Sequence, residues 1–161
     1  MSDYTVPGMT QDDASGVVEA LAQRLASLLD LSLTLKHVHW NVVGKDFIAV
    51  HEMLDPQVDA VRAMVDEAAE RIATLGGEPL GTPAAIIERR TWDDYSLGKA
   101  QVPTHLEALD GVYTGVIEDH RKARETVADA DPVSEDLLIG QLRQLELFQW
   151  FLRAHLDKAS G

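Results

Sequence analysis

Apolar residues recur at alternating spacings of three and four along four long stretches of the chain, a periodicity that predicts helices with one buried face. The apolar stripe of the first stretch includes Leu28, Leu35 and His39, and that of the second includes His51 and Leu54. After a short tail of residues 1–10, the predicted helices cover residues 11–43, 46–75, 102–129 and 132–158. Both histidines therefore fall inside stripes that are otherwise apolar.

Glycine and proline divide these stretches into two closely connected pairs. Asp46 is the predicted N-cap after the turn that follows the first helix, and Gly76 with Gly77 ends the second helix. Residues 76–101 contain four Gly and two Pro, which predicts a long crossover with room for one short helix. Two close helix pairs joined by one crossover have the connectivity of a ferritin-like four-helix bundle, so we expect a single all-α domain.

Charge narrows the choice of partners. The sequence has 27 acidic and 14 basic residues, and its net charge of -13 should repel nucleic acid and anionic membranes while attracting cations. Neither end of the sequence offers a lysine-rich arm, which makes DNA binding doubtful. The absence of cysteine leaves nitrogen and oxygen ligands for any metal. Because the chain has no membrane-length apolar run and no signal-like start, we expect a cytoplasmic protein.

The second predicted helix carries His51, Asp55, Asp66 and Glu70 on one flank, and these are residue types that bind metal ions. His51 and Glu70 lie roughly 28 Å apart along a helix, whereas a ligand atom lies about 2 Å from its metal, so one helix cannot build the site. If this helix pairs antiparallel with the same helix of a second copy, His51 lies opposite the second copy's Glu70, and Asp55 lies opposite its Asp66. Both pairs meet at once because they share one midpoint along the chain. The spacing therefore predicts a site shared by two subunits.

The turn between the first two helices adds a second histidine to this site. His39 and His51 have residue 45 as their midpoint, inside the predicted turn, so they should face each other across the hairpin. The predicted site combines His39, His51 and Asp55 of one subunit with Asp66 and Glu70 of the other. Nitrogen and carboxylate ligands with open positions suit Fe(II), and Mn, Co or Zn would compete.

Plainer interpretations of the same residues remain open. An acidic helix face is most often solvated surface, and a histidine in an apolar stripe is most often a hydrogen-bonded core residue. Pro56 either kinks the second helix or begins it, and in the latter case Asp55 would be an N-cap instead of a ligand. We assign a structural role to the remaining histidines of the two later helices, which are His105, His120 and His155.

Two segments, KHVHWNVVGKDFIAVHEMLD (residues 36–55) and DEAAERIATLGG (residues 66–77), resemble the signature of the Dps family, the DNA-binding proteins from starved cells. The resemblance continues into TWDDY and FQWF and covers nearly the whole chain. It implies a ferritin-like cage of twelve identical subunits. It also implies that this cage is an iron-storage ferroxidase, which oxidises Fe(II), preferably with hydrogen peroxide, stores the ferric mineral and protects against oxidative damage. The family's site residues fall on His39, His51, Asp55, Asp66 and Glu70, with Trp40 beside the site and Asp119 at an ion-entry pore.

Three other functions compete with this one. The first is a nucleoid protein that binds DNA and keeps the same cage, and the missing basic arms count against it. The second is a helical scaffold without chemistry, which predicts no stoichiometric metal uptake. The third is a monomeric di-iron oxygenase, which would need Glu-x-x-His ligand pairs that this sequence lacks.

Overall fold

The computed structural model describes residues 4–157, and the helices in this range form a four-helix bundle with a helical crossover. The elements in chain order are α1 (Gln11–Asn41), β1 (Val42–Val43), α2 (Phe47–Thr74), α3 (Pro83–Arg89), β2 (Ala100–Gln101), α4 (Val102–Val127) and α5 (Pro132–Leu156). Helix α1 packs on α2 and α4, and α5 packs on α4 and α2. The predicted all-α architecture is confirmed, including one short helix in the crossover.

The α1–α2 turn differs in detail from the prediction. Helix α1 ends at Asn41, two residues early, because Val42 and Val43 pair in parallel with Ala100 and Gln101 of the crossover. Gly44 follows at a φ of +100°, a conformation that a residue with a Cβ rarely adopts. This bridge ties the hairpin turn to the start of α4, which sequence periodicity did not predict.

Helix α2 begins directly after Asp46 and runs without a break through Pro56. Asp46 adopts a left-handed φ of 64° and its side chain makes no capping hydrogen bond, so the predicted N-cap is right in position and wrong in chemistry. The alternative in which α2 starts at Pro56 and Asp55 caps it is wrong, because Asp55 lies more than two turns inside the helix. Asp55 is therefore not the N-cap of α2.

Two clusters of buried side chains fill the bundle from end to end. The cluster near the hairpin turn centres on Leu35, Leu54, Tyr113 and Leu145, and the cluster at the other end on Leu21, Ile72, Val127 and Leu138. His105 and His120 are fully buried, whereas His155 is exposed near the end of α5. Helix α4 ends at Val127, two residues early, and the predicted end of the last helix at residue 158 lies outside the described residues.

Charged contacts fix the connections between the helices. Arg90 Nη2 and Trp92 Nε1 of the crossover each donate a 2.7 Å hydrogen bond to Asp30 of α1. At the opposite end, Arg71 of α2 donates to Asp131, the N-cap of α5, at 2.6 Å. None of the helices within residues 4–157 is long and apolar enough to cross a membrane.

Candidate metal centre

His39 and His51 meet at the hairpin end of the bundle. Their rings stack with centroids 3.6 Å apart and an interplanar angle of 22°. His39 is 6% exposed, and His51 is partly buried beneath the ring of Phe47, whose centroid lies 5.1 Å away. The pairing of these two histidines across the turn, which the hairpin register predicts, is present in the structure.

Each histidine ring is held by the backbone of the other. The Nδ1 atom of His39 lies 2.8 Å from the carbonyl oxygen of His51, and the Nδ1 atom of His51 lies 2.8 Å from the carbonyl oxygen of His39. Because a carbonyl only accepts, each Nδ1 donates its proton, and in the neutral rings the lone pair is on Nε2. Metal-binding histidines are commonly fixed in this way, with one ring nitrogen donating to a carbonyl and the other bound to the metal.

Asp55 stands next to this histidine pair, one turn beyond His51. Its Oδ1 atom lies 3.3 Å from His39 Nδ1 and 2.5 Å from Lys36 Nζ. The hydrogen bond from Lys36 is the main reason why the pKa of the Asp55 carboxyl falls below its ordinary value. The side chain is 49% exposed, so an ionised carboxylate faces solvent beside two available imidazole nitrogens.

The other two predicted ligands, Asp66 and Glu70, do not join this cluster within one chain. Both are exposed on α2, about 17 Å and 28 Å along the helix from Asp55 and His51 respectively. Across residues 4–157, no three His, Asp or Glu side chains of a single chain lie close enough together to hold a metal ion. The five-ligand site thus remains a prediction that depends on a second copy.

Trp40 and Asp119 occupy different surroundings. Trp40 follows His39 at the end of α1 and is 71% exposed. Asp119 on α4 is partly exposed and accepts a 3.0 Å hydrogen bond from Lys122, and its other oxygen lies 3.9 Å from the buried Arg24. Its contacts within the chain are therefore those of a counterion, and its role at a pore stays a prediction.

Lys36 is the one residue of this cluster that the sequence reasoning missed. A signal for it was present, because the midpoint of Lys36 and Asp55 falls in the same turn as the midpoint of His39 and His51. Lys36 also lies one helical turn before His39, on the same side of α1. The hairpin register that pairs His39 with His51 therefore also predicts that the Lys36 ammonium group lies beside the Asp55 carboxylate.

The bundle, its crossover and the histidine–carboxylate cluster define the class of protein. A family model of the ferritin-like domain matches residues 18–161. Proteins of this class build iron and manganese sites from carboxylates and histidines of facing helices.

Known relatives narrow this class to one family. The chain is 59% identical over 161 residues to the DNA protection during starvation protein of Mycolicibacterium smegmatis, an alignment that covers all of this chain and 88% of that protein. The solved structure of Mycobacterium smegmatis Dps in its tetragonal form matches with a TM-score of 0.97 at 59% identity, over 100% of this chain and 98% of that one. DpsA14 from Streptomyces coelicolor matches with a TM-score of 0.96 at 61% identity, over 99% and 95% of the two chains. The chain belongs to the Dps family.

Proposed function

We propose that this protein is a ferroxidase that oxidises Fe(II) at sites shared between two subunits and stores the ferric product inside a cage of twelve chains. The observation that carries the proposal is the reciprocal hydrogen bonding of His39 and His51: each ring donates through Nδ1 to a carbonyl, which leaves Nε2 as the nitrogen that can bind a metal. Asp55 adds an ionised carboxylate at the same place. Two imidazoles and a carboxylate form half of a ligand set that suits Fe(II).

A second copy of the chain supplies the other half. Large apolar side chains close in sequence to the two histidines are exposed in the single chain: Trp40 is 71%, Ile48 58% and Phe47 37% exposed. Exposed apolar side chains grouped in this way indicate a surface that another protein covers. In an antiparallel neighbour on this surface, Glu70 would lie at the height of His51 and Asp66 at the height of Asp55.

The chemistry requires two iron ions close together. Each Fe(II) gives one electron to the same hydrogen peroxide molecule, whose O–O bond breaks, and with two protons the products are two Fe(III) ions and two water molecules. Delivering both electrons in one encounter avoids the release of hydroxyl radical. Carboxylate ligands favour the oxidation, because Fe(III) gains more than Fe(II) from anionic oxygen. Trp40, beside the site, would take up stray oxidising equivalents.

Iron reaches such a site from outside the cage through pores. With a net charge of -13, the chain attracts cations, and Asp119 is our candidate for a pore wall. We expect the purified protein to behave as a particle of about twelve chains in size-exclusion chromatography with light scattering. A stable monomer in that experiment contradicts both the shared site and the cage.

Site-directed variants test the ferroxidase site directly. Replacing His51 and Asp55 together by alanine should slow peroxide-dependent iron oxidation, followed by ferric absorbance, while the particle size stays that of the unmodified protein. The matched control is Asp59→Ala, which removes an exposed carboxylate one turn beyond Asp55 on α2. In the antiparallel pairing, no His, Asp or Glu of the second copy's α2 lies opposite Asp59. Unchanged initial rates in the double variant reject the site.

DNA binding is the second candidate function, and the name of the Mycolicibacterium smegmatis relative, DNA protection during starvation protein, is the observation that favours it. The charge of this chain counts against it, because binding to phosphates depends on clustered Lys and Arg. We expect weak or no complex with duplex DNA at physiological salt. A gel-shift series at low and moderate ionic strength tests this, and tight complexes at moderate salt would overturn the expectation.

A further inference from the structure

A cavity of about 400 Å³ lies between α1, α4 and residues 92–97 of the crossover. None of the five ligands predicted for the metal centre lines it. Its apolar floor includes Leu31, Val112 and Val116, which belong to the core cluster near the hairpin turn or pack against it. A volume of this size is within the range of pockets that hold small organic molecules.

The crossover wall of this cavity is aromatic and is fixed in place. Trp92 and Tyr95 both line it, and the polar end of each side chain is already bonded elsewhere. Trp92 Nε1 donates a 2.7 Å hydrogen bond to Asp30, and the Tyr95 hydroxyl is hydrogen-bonded to His105 Nδ1 at 2.8 Å. The rings are therefore held before any ligand arrives, which reduces the entropy lost on binding.

The α4 wall of the cavity lacks side chains at two positions. Gly111 and Gly115 lie one turn apart on the same face of α4, and both line the cavity. A Cβ added at either glycine meets no other atom within 4 Å, so helix packing does not require glycine there. Glycine inside a helix is destabilising relative to alanine. At these two positions, its effect on the structure is to keep the cavity open.

The rim of the cavity is negatively charged. Asp30 and Asp94 share a single cation, because both accept hydrogen bonds from Arg90, at 2.7 Å and 2.9 Å. The exposed Asp93 carboxylate has no hydrogen bond or ion pair with any residue in the range 4–157, and Asp119 is already paired with a lysine. No Lys or Arg of the described residues lines the cavity. The unpaired charge at the rim is therefore that of carboxylates, which favours a cationic ligand.

We propose that this cavity binds a small aromatic amine. The apolar body of the amine packs between Trp92 and the glycine wall of α4, and its ammonium group lies beside Asp93. Aromatic rings prefer to pack on other rings, and an ammonium group gains from both the carboxylate and the faces of the aromatic rings. Since the cavity uses none of the predicted iron ligands, this inference stands independently of the proposed ferroxidase function.

The test uses three naphthalene compounds that have the same ring and differ in charge. Binding to the assembled, iron-free protein is measured by calorimetry. The cation 1-naphthylmethylamine should bind once per chain with a dissociation constant of about 0.1–1 mM, as expected for a ligand of this size. The neutral 1-naphthylmethanol should bind about fivefold more weakly, because it lacks the ion pair with the rim. The anion 1-naphthylacetate should show no binding.

Two pairs of variants locate the binding. Gly111→Leu fills the cavity and should weaken binding of the amine by more than about tenfold. Its matched control is Gly140→Leu, at a glycine of α5 that lines a different groove and also has open space for a Cβ. Asp93→Asn should abolish most of the preference for the amine over the alcohol. Asp59→Asn, its control, removes an exposed carboxylate from α2 and should leave that preference unchanged.

Several results would overturn the inference. Equal binding of the amine and the alcohol to the native protein rejects a site for cations, and absence of amine binding up to about 10 mM rejects the site altogether. Equal weakening by Gly111→Leu and Gly140→Leu shows that the amine does not bind in this cavity. If Gly111→Leu fails to assemble, the exposed Asp93 decides: a preference that Asp93→Asn leaves intact, or that Asp59→Asn reduces as much, contradicts the proposal.

Discussion

A mixed cage gives the sharpest test of a site divided between two subunits. One variant carries His51→Ala and Asp55→Ala, and the other carries Asp66→Ala and Glu70→Ala. Each variant alone should lose most of its peroxide-dependent iron oxidation, because every site in its cage lacks two of its five ligands. Co-expression of both variants allows some interfaces to combine the intact half of one chain with the intact half of its neighbour.

The recovered activity follows from symmetry. A two-fold interface contains two sites, and a mixed pair of chains has one complete site and one that keeps only His39. Random assembly of equal amounts makes about half of the pairs mixed, so about one quarter of all sites are complete. The separation of roughly 28 Å between His51 and Glu70 along α2 excludes a rescue within one chain.

The assay is the initial rate of ferric absorbance after peroxide addition, with mass spectrometry of intact cages to confirm random mixing. A rate of about one quarter of that of the unmodified protein supports the shared site. Mixing the two variants after assembly is the control and should restore nothing. A co-expressed cage that is no more active than either variant alone refutes the two-subunit geometry.

Three further predictions concern stability, measured by chemical denaturation. Burial lowers the pKa of His120 to about 4, so the unfolded chain takes up a proton at this residue before the folded chain does as the pH falls below 6.5. The free energy of unfolding should therefore drop by about 3 kcal/mol between pH 7 and pH 4. His120→Gln should remove this contribution. Arg71→Met leaves the buried Asp131 carboxylate without its ion-pair partner and should cost about 3 kcal/mol, whereas an effect below about 0.5 kcal/mol would contradict a structural role for this pair. Tyr113→Phe removes the 2.8 Å hydrogen bond to Gln57 in the core and should lower the free energy of unfolding by about 2 kcal/mol. Adding Gln57→Leu should recover part of this stability, because it removes the amide that has lost its partner. If no stability is recovered, the unpaired amide is not the cause of the loss.

The sequence alone predicted the bundle well because helices depend on local spacing. Apolar residues at spacings of three and four, ended by Gly76 and broken at Pro132, defined α1, α2, α4 and α5 to within two residues at the ends that the structure describes. The facing of His39 and His51 also followed from sequence, because a short turn fixes the register of the two helices that it joins. Whether Asp66 and Glu70 complete the site is still a prediction, since it depends on a second copy.

Only the tertiary structure decided how these groups are held. The reciprocal carbonyl contacts of His39 and His51, and the ammonium of Lys36 on Asp55, depend on rotamers and on competition among neighbouring donors and acceptors. The pairing of β1 with β2 likewise joins residues nearly 60 positions apart, beyond the reach of any local pattern. Periodicity fixes which face of a helix is buried, but the partner that each polar atom finds on that face is settled only when the packed helices bring distant side chains within hydrogen-bonding distance.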